Sequence, residues 1–249
     1  MWERYSEPLT LNELADTAIL SKFYFSRCFR SITGTSPGRF LTAVRLYRAK
    51  NLLQKTSLSV TDIAYTVGYN SLGTFTTRFT KSVGMSPARF RALSHSGLPS
   101  LPRSQTASYP GTGEIRGTVV LPPSSTALRL YVGAFGSPIV EGVPVSCDIL
   151  DTHPDAENWR VHDYRLSDVP PGRWHVRAAA VAVRWADSDI RPWARRPLFL
   201  GTGKPVAMHA HQVVELSIAM RVMDSTDLPI LLALPELDNR HFPEPKLIA

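Results

Sequence analysis

One phrase occurs twice in the chain and limits the fold more than any other feature. GTSPGRF at residues 34–40 and GMSPARF at residues 84–90 both follow the pattern Gly-x-Ser-Pro-x-Arg-Phe. Glycine suits the left-handed conformation that ends a helix. Serine then suits an N-cap, and proline suits the first helical position, where a missing N–H costs nothing. The phrase therefore predicts, in both places, the end of one helix and the start of the next.

The repeat extends upstream of this phrase. Thr10-x-x-Glu13 and Ser59-x-x-Asp62 have the spacing of a capping box, which opens a helix. A short turn follows each box, and a second helix then places apolar residues three or four positions apart on a buried face. These residues are Phe25, Phe29 and Ile32 in the first copy and Phe75, Phe79 and Val83 in the second. The sequence predicts two helix-turn-helix units joined by a helix from about Pro37 to Leu53.

Charge is distributed unevenly along the chain, whose formal net charge is +7. Residues 1–113 carry 14 Lys and Arg against 5 Asp and Glu, whereas residues 114–249 carry 14 against 16. Such a division is typical of a basic nucleic-acid-binding part joined to an ordinary globular part. Basic segments also bind membranes, so charge alone does not decide the partner.

Residues 9–93 closely resemble the DNA-binding domain of the AraC/XylS family of bacterial transcription regulators. The matching stretches are LTLNELA, SRCFRSITGTSPGRFLTAVRLYRAKNLL, LSVTDIAYTVGY and FTTRFTKSVGMSPARFR. The resemblance implies an all-α domain that inserts two recognition helices into successive major grooves of double-stranded DNA at a promoter or operator.

The second helix of the first unit offers a face suited to DNA. With Phe25, Phe29 and Ile32 inward, a rotation of 100° per residue places other side chains on the opposite face. The candidates are Phe23, Ser26, Arg27 and Arg30, with Lys22 near the entry turn. Arginine grips guanine O6 and N7 bidentately, and an aromatic ring can press against a thymine methyl. The alternatives without base recognition are phosphate or solvent contact for the arginines and simple packing for Phe23.

The second helix of the second unit offers different chemistry. The family often carries an arginine where Thr77 stands, and here the arginine is displaced by one position, to Arg78. Small residues favour close backbone approach, while Arg78 and Lys81 suit phosphate contacts. Asn70 and Ser71 suit a cap or a phosphate contact at the helix N-terminus. The full set of candidates in this unit is Asn70, Ser71, Gly73, Thr74, Thr76, Thr77, Arg78 and Lys81.

The remainder of the chain reads as β structure after a linker. Residues 95–113 are rich in Ser, Pro and Gly, which predicts an exposed linker between residues 1–94 and a domain over residues 114–235, with a tail at 236–249. Predicted strands are EIRGTVVL, LRLYVGAF, VPVSCDIL, DYRLSDV, RWHVRAAAVAV and QVVELSIAMRV. DVPPGRWHVRAAA resembles the Pro-Pro-Gly hairpin of transthyretin-like and carboxypeptidase-regulatory modules. That resemblance implies an all-β sandwich, so the fold class is a two-domain α plus β protein.

The sequence offers no enzyme site and no cofactor motif. His209 and His211 with His175 or His162 lack a third ligand at diagnostic spacing, so ordinary histidines are favoured over a metal site. Cys28 and Cys147 are read as reduced, buried thiols. The tryptophans read as core rather than as a ligand pocket; they are Trp159, Trp174, Trp185 and Trp193.

These features together predict a cytoplasmic, sequence-specific transcriptional regulator. Its C-terminal β domain would sense a small-molecule effector or mediate dimerisation. An alternative keeps the DNA-binding role but treats the β domain purely as a protein-interaction module, for instance one that docks RNA polymerase. A third reading is an enzyme with a DNA-targeting head. No apolar run approaches the length of a membrane span, and the N-terminus lacks the pattern of a signal peptide.

Overall fold

The computed structural model describes residues 1–96, 110–152, 160–182 and 197–232. Most of the predicted linker, the whole predicted tail, and Trp159, Trp185 and Trp193 lie outside these ranges. The described residues form six helices, α1 Leu11–Thr17, α2 Lys22–Thr33, α3 Pro37–Lys55, α4 Val60–Thr66, α5 Leu72–Val83 and α6 Pro87–Ser96. They also form nine strands, β1 Gly113–Val120, β2 Leu128–Phe135, β3 Ser146–Thr152, β4 Val161–Val169, β5 Gly172–Ala182, β6 Pro197–Thr202, β7 Val206–Met208, β8 Val213–Glu215 and β9 Ile218–Val222.

The predicted helix boundaries of both repeats are confirmed. Both capping boxes are formed, at Thr10 with Glu13 and at Ser59 with Asp62. Gly34 and Gly84 end α2 and α5 in the left-handed conformation, with φ of 77° and 97°. The Oγ atoms of Ser36 and Ser86 accept the amides of the third residue beyond them, each at 3.4 Å. The repeated phrase therefore does what its residues predict in both copies.

The two copies differ in how deeply they bury the second helix. Phe75, Phe79 and Val83 are fully buried, whereas no side chain of α2 is. The prediction that Ile32 belongs to the core is wrong, because its side chain is 71% exposed. A spacing of fifty residues pairs Phe25 and Phe29 with Phe75 and Phe79, and it then pairs Ile32 with Ser82 and not with Val83. The apolar stripe of α2 is thus shorter than that of α5.

The turn of the first repeat contains a strained residue. Ile19 has φ of 56° and is 92% exposed, whereas the matching turn of the second repeat places Gly68 at φ of 87°. A left-handed conformation costs an ordinary L-residue roughly 1–2 kcal/mol, and a β-branched residue suits it least. Since the Ile19 side chain is almost fully exposed, its packing contributes too little free energy to offset this conformational cost.

Ile19→Asn is expected to raise the free energy of unfolding of the helical unit by about 1 kcal/mol, because asparagine tolerates this conformation. Urea denaturation of the full chain, followed by the helical circular dichroism signal, measures the change. Ile32→Asn is the control, since it removes another largely exposed isoleucine from ordinary helical backbone and should not stabilise. Equal or lower stability of the Ile19 variant would show that the turn carries no relievable strain.

The strands form one sheet path in the order β3-β2-β5-β6-β9-β1-β4, with β7 beside β5 and β8 beside β1. The two end strands approach each other, because the amide of Arg165 in β4 donates to the Asp148 carboxylate of β3 at 2.9 Å. The sheet is therefore nearly closed around an apolar core that includes Ile115, Leu130, Leu166, Val176 and Ile218. The described residues of the second half are therefore mostly strands, as expected for a β domain.

Several details of the second half differ from the sequence prediction. The strands β6 and β7 were missed, since β6 begins at a proline and β7 has three residues. The single strand expected over residues 212–222 is divided into β8 and β9. At the break, the Tyr164 hydroxyl donates to the Leu216 carbonyl at 2.6 Å, and burial raises the pKa of Tyr164 to about 12.

The Pro-Pro-Gly segment does not make a hairpin between paired strands. It connects β4 to β5, which lie apart in the sheet path. Trp174, which follows the segment, is half-buried against the β core, and its indole N–H donates to the Pro170 carbonyl at 2.7 Å. Trp174 therefore packs inward as expected, although β4 and β5, which the segment connects, are not neighbours in the sheet.

The chain divides into two compact units, and the helical one is discontinuous in sequence. It comprises Met1–Ser96, Ser137–Val143 and Asp224–Leu232, while all nine strands belong to the other unit. Val143, which the sequence assigned to a strand, lies in the helical unit. The predicted boundaries at residues 94 and 114 remain a prediction, to which the structure adds these two later segments.

Candidate nucleic-acid interface

The helix α2 presents the face expected to read DNA in the first repeat. Ser21 caps it, since its Oγ accepts the Tyr24 amide at 3.4 Å. Phe23 is 79% exposed. Lys22, Arg27 and Arg30 are also exposed, and Ser26 is half-buried. The five candidates of this helix therefore occupy its outward side, as predicted.

Two cation–π contacts order the long side chains on this face. The Lys22 ammonium lies 5.5 Å from the centroid of the Phe23 ring, and the Arg27 guanidinium lies 5.4 Å from that of Tyr24. Sequence reasoning missed Tyr24, which is 48% exposed. Its place one turn before Arg27 is the signal that would have found it. Stacking on Tyr24 limits the rotamers of Arg27 while leaving its N–H groups available for a base edge.

The helix α5 presents a smaller and uncharged face. The Ser71 Oγ accepts the Thr74 amide at 3.4 Å, so Ser71 is the cap that the sequence suggested. Gly73 has nothing but the Ser71 Oγ within 4 Å of the place a Cβ would take, so another backbone can approach closely. The exposed candidates of this helix and its cap are Asn70, Ser71, Gly73, Thr74 and Thr77, and Thr76 is half-buried.

Thr80 is a further exposed residue on this face that the sequence reasoning missed. The repeat pairs it with Arg30, and this pairing is the signal that would have found it. Its Oγ donates to the Thr76 carbonyl at 2.8 Å. Compared with α2, α5 therefore has threonine in place of arginine at two positions, Thr77 for Arg27 and Thr80 for Arg30.

Arg78 and Lys81 are the two cations of α5. Both are exposed, and both line a cleft of about 340 Å³ within the helical unit. Three more residues of this cleft carry side chains of functional interest, namely Arg39, Ser82 and Glu141. The two cations of α5 therefore border the same cleft as Glu141.

Arg78 also lies close enough to Tyr69 for its charge to matter. Burial raises the pKa of Tyr69, and the positive charges of Arg78 and Arg45 act in the opposite direction. The Tyr69 hydroxyl is buried and has no hydrogen-bond partner among the described residues. Arg45 donates to the carbonyls of Tyr5 and Glu7, each at 2.7 Å, and burial lowers its pKa. Arg45 of α3 and Arg78 of α5 thus both act on Tyr69.

A model of the helix-turn-helix domain family matches residues 14–93. The same region is 36% identical over 92 residues to the melibiose operon regulatory protein of Escherichia coli K12, covering 37% of this chain and 30% of that protein. Residues 14–93 form an AraC-type helix-turn-helix domain. The AraC-type domain thus occupies the part of the chain that carries both repeats.

Other relatives of the AraC-type domain agree in extent. The bifunctional transcriptional activator/DNA repair enzyme AdaA of Bacillus subtilis is 37% identical over 92 residues, which are 37% of this chain and 44% of that one. The chain therefore spans less than half the length of these curated relatives. An AraC-type regulator structure from Chromobacterium violaceum is 28% identical, covering 39% of this chain and 88% of that one, with a TM-score of 0.38.

The other candidate sites of the sequence have ordinary surroundings. His209 and His211 lie in the connection between β7 and β8, not on a strand, and both are exposed. Within the described ranges no three His, Cys, Asp or Glu side chains converge as a metal site would require. Cys28 and Cys147 are half-buried and not joined by a disulfide. None of the described helices is both long and apolar enough to cross a membrane.

Proposed function

We propose that the protein is a sequence-specific DNA-binding transcriptional regulator in which α2 and α5 enter successive major grooves. One observation carries the proposal: two capped helices with exposed outward faces are joined by a single continuous helix. That helix, α3, has 19 residues and is about 28 Å long at 1.5 Å per residue. Successive major grooves on one face of DNA are about 34 Å apart, a distance of the same size.

The two reading helices would divide the work of recognition. The arginines of α2 suit bidentate contact with guanine, and Phe23 suits a thymine methyl. The glycine and threonines of α5 suit close approach to the groove without long side chains. Other cations, such as Lys22, Arg78 and Lys81, would hold phosphates and fix the register of the domain. The basic charge of residues 1–113 supports this role.

A footprint tests the proposal on the full chain. The protein is expected to select a sequence from a random DNA pool and to protect a non-palindromic stretch of about two helical turns. Hydroxyl-radical footprinting of the selected DNA measures the protected positions. Two short inverted half-sites, each occupied by its own molecule, would contradict the use of both repeats by one chain. Failure to select any sequence would contradict the regulator itself.

We further propose that the β unit senses a ligand or mediates dimerisation. In this proposal its nearly closed sheet forms a sandwich. A groove of about 550 Å³ runs over the polar side of β1 and β4 and opens to solvent. It is lined by ion pairs, among them Arg165 with Glu114 at 2.6 Å and Arg116 with Glu215 at 3.1 Å. Charged pairs in an open groove favour a polar partner, which also suits the alternative of a pure interaction module. We propose no catalytic role for either unit.

A further inference from the structure

Two segments from the second half of the sequence complete the helical unit. Residues 137–143 and 224–232 hold each other, because the amides of Leu231 and Leu232 donate to the Val140 carbonyl at 2.9 and 3.1 Å. Their apolar side chains are buried as deeply as a protein core; these are Ile139, Val140, Ile230, Leu231 and Leu232. We call the two segments together the brace.

Lys50 fastens the brace to the middle of α3. Its ammonium donates to the carbonyls of Ile230, Leu231 and Leu232 at 3.3, 2.8 and 3.2 Å. It also lies 5.7 Å from the centroid of the Phe90 ring in α6. Burial lowers the pKa of Lys50 to about 7, whereas the three carbonyls and the aromatic face favour its charged form. The contact ties α3, α6 and the brace together.

Glu141 of the brace joins the two repeats. One carboxylate oxygen accepts the Arg39 guanidinium at 2.8 Å, and the other accepts the hydroxyl of the buried Ser82 at 2.9 Å. Arg39 lies in the first turn of α3, within the repeated phrase of the first copy, and Ser82 lies in the last turn of α5. The Gly142 amide adds a bond of 2.8 Å to the Ser82 carbonyl and so satisfies one of the free carbonyls at that helix end.

We propose that Glu141 is a positioning residue, which fixes the orientation of α5 relative to α2 and thereby sets the DNA spacing that the two reading helices accept. The DNA part of this inference rests on the proposed function; the mechanical part does not. If α3 were the only connection between the two units, their relative orientation could change when α3 bends. In addition, α2 has no fully buried side chain that would hold it rigidly in the helical unit. Glu141 supplies a cross-link between the first turn of α3 and the last turn of α5.

A purely electrostatic role for Glu141 has less support. A lone carboxylate near a DNA-binding surface would weaken binding by repelling phosphates. Here Arg39 neutralises the carboxylate, both of its oxygens accept hydrogen bonds, and its side chain is 24% exposed. Geometry is therefore the expected contribution of Glu141, and the experiment must separate geometry from charge.

The first measurement compares DNA probes of different spacing. An inserted base pair rotates one groove by about 35° relative to the other, so the wild-type protein should bind such probes about tenfold or more weakly than the selected sequence. Glu141→Ala should reduce this discrimination to about twofold. It should not change binding to a probe that keeps the selected sequence in only one of the two major grooves. Glu141→Gln should restore part of the discrimination. Glu7→Ala is the matched control, because it removes the same charge from an exposed pair with Arg4. Identical behaviour of the Glu141 and Glu7 variants would overturn the proposal.

The second measurement needs no DNA and judges the brace even if the regulator assignment fails. Spin labels are attached to the exposed positions of α2 and α5 through Ser31→Cys and Thr80→Cys, with Cys28→Ala and Cys147→Ala removing the native thiols. The distance distribution between the labels should be narrow, and Glu141→Ala should broaden it. Ser82→Ala, which removes one of the same hydrogen bonds, should broaden it in the same direction. Distributions as narrow as that of the parent in both variants would overturn the proposal.

Discussion

Phe75→Ala is expected to lower the free energy of unfolding of the helical unit by about 3–5 kcal/mol and to abolish DNA binding. Phe75 is fully buried, and its ring centroid lies 5.3 Å from that of Tyr69 and 5.6 Å from that of Phe79. Removing the Phe75 ring leaves a cavity between α5 and the turn that joins it to α4. Because a typical domain is stable by about 5–15 kcal/mol, the loss consumes much of the total.

The repeat itself supplies the control for this prediction. Phe25 holds the equivalent place in the first unit, where it is half-buried, so Phe25→Ala should cost clearly less. Urea denaturation of the two full-length variants, followed by helical circular dichroism, compares them directly. Equal losses would mean that the first repeat is packed as tightly as the second and that the difference in burial has no energetic weight.

Arg27→Ala is expected to weaken binding to the selected DNA by about 1–3 kcal/mol and to relax base preference at one or two positions in one half of the site. Arg27 is exposed on the outward face of α2 and is ordered by Tyr24, which suits a bidentate contact with guanine. Binding titrations against a panel of single-base variants of the selected DNA measure both effects.

The cations of the second repeat serve as the comparison. Arg78→Ala and Lys81→Ala should weaken all sequences more evenly and reduce the salt slope by about one unit each, as phosphate contacts do. Titrations at two salt concentrations separate the two behaviours. A uniform loss in the Arg27 variant, together with a lost preference at one base in the Arg78 variant, would show that the reading and clamping roles are reversed.

Local chemistry explains why much of the helical unit could be predicted. The capping boxes, the left-handed glycines and the proline after each Ser36 or Ser86 act within a few residues, so the sequence states them directly. The same holds for the outward candidates of α2, whose places follow from a rotation of 100° per residue. Ile32 fails because its burial depends on what covers the end of α2, and periodicity cannot report that.

Non-local features account for the rest. Residues 137–143 and 224–232 read as ordinary loops around strands, since neither has a charge pattern or a periodicity that points to α3. Their role follows from Glu141 meeting Arg39 and Ser82, and from Lys50 meeting three carbonyls, all between residues far apart in sequence. The sequence predicted a phosphate contact for Arg78, because the arginine that the family often carries at position 77 is shifted by one residue. That Arg78 lies near Tyr69 and lines the cleft follows only from the three-dimensional structure.

The discontinuity of the helical unit also has a consequence for synthesis. Ser96 ends the last helix, yet Leu232 belongs to the same compact unit. At about 5–20 residues per second, the ribosome needs roughly 7 to 27 seconds to extend the chain from the first point to the second. During that interval the nascent helices have neither the apolar cover nor the carbonyls that surround Lys50. The helical unit is therefore expected to mature only after residue 232 has been synthesised, which is later than all nine strands.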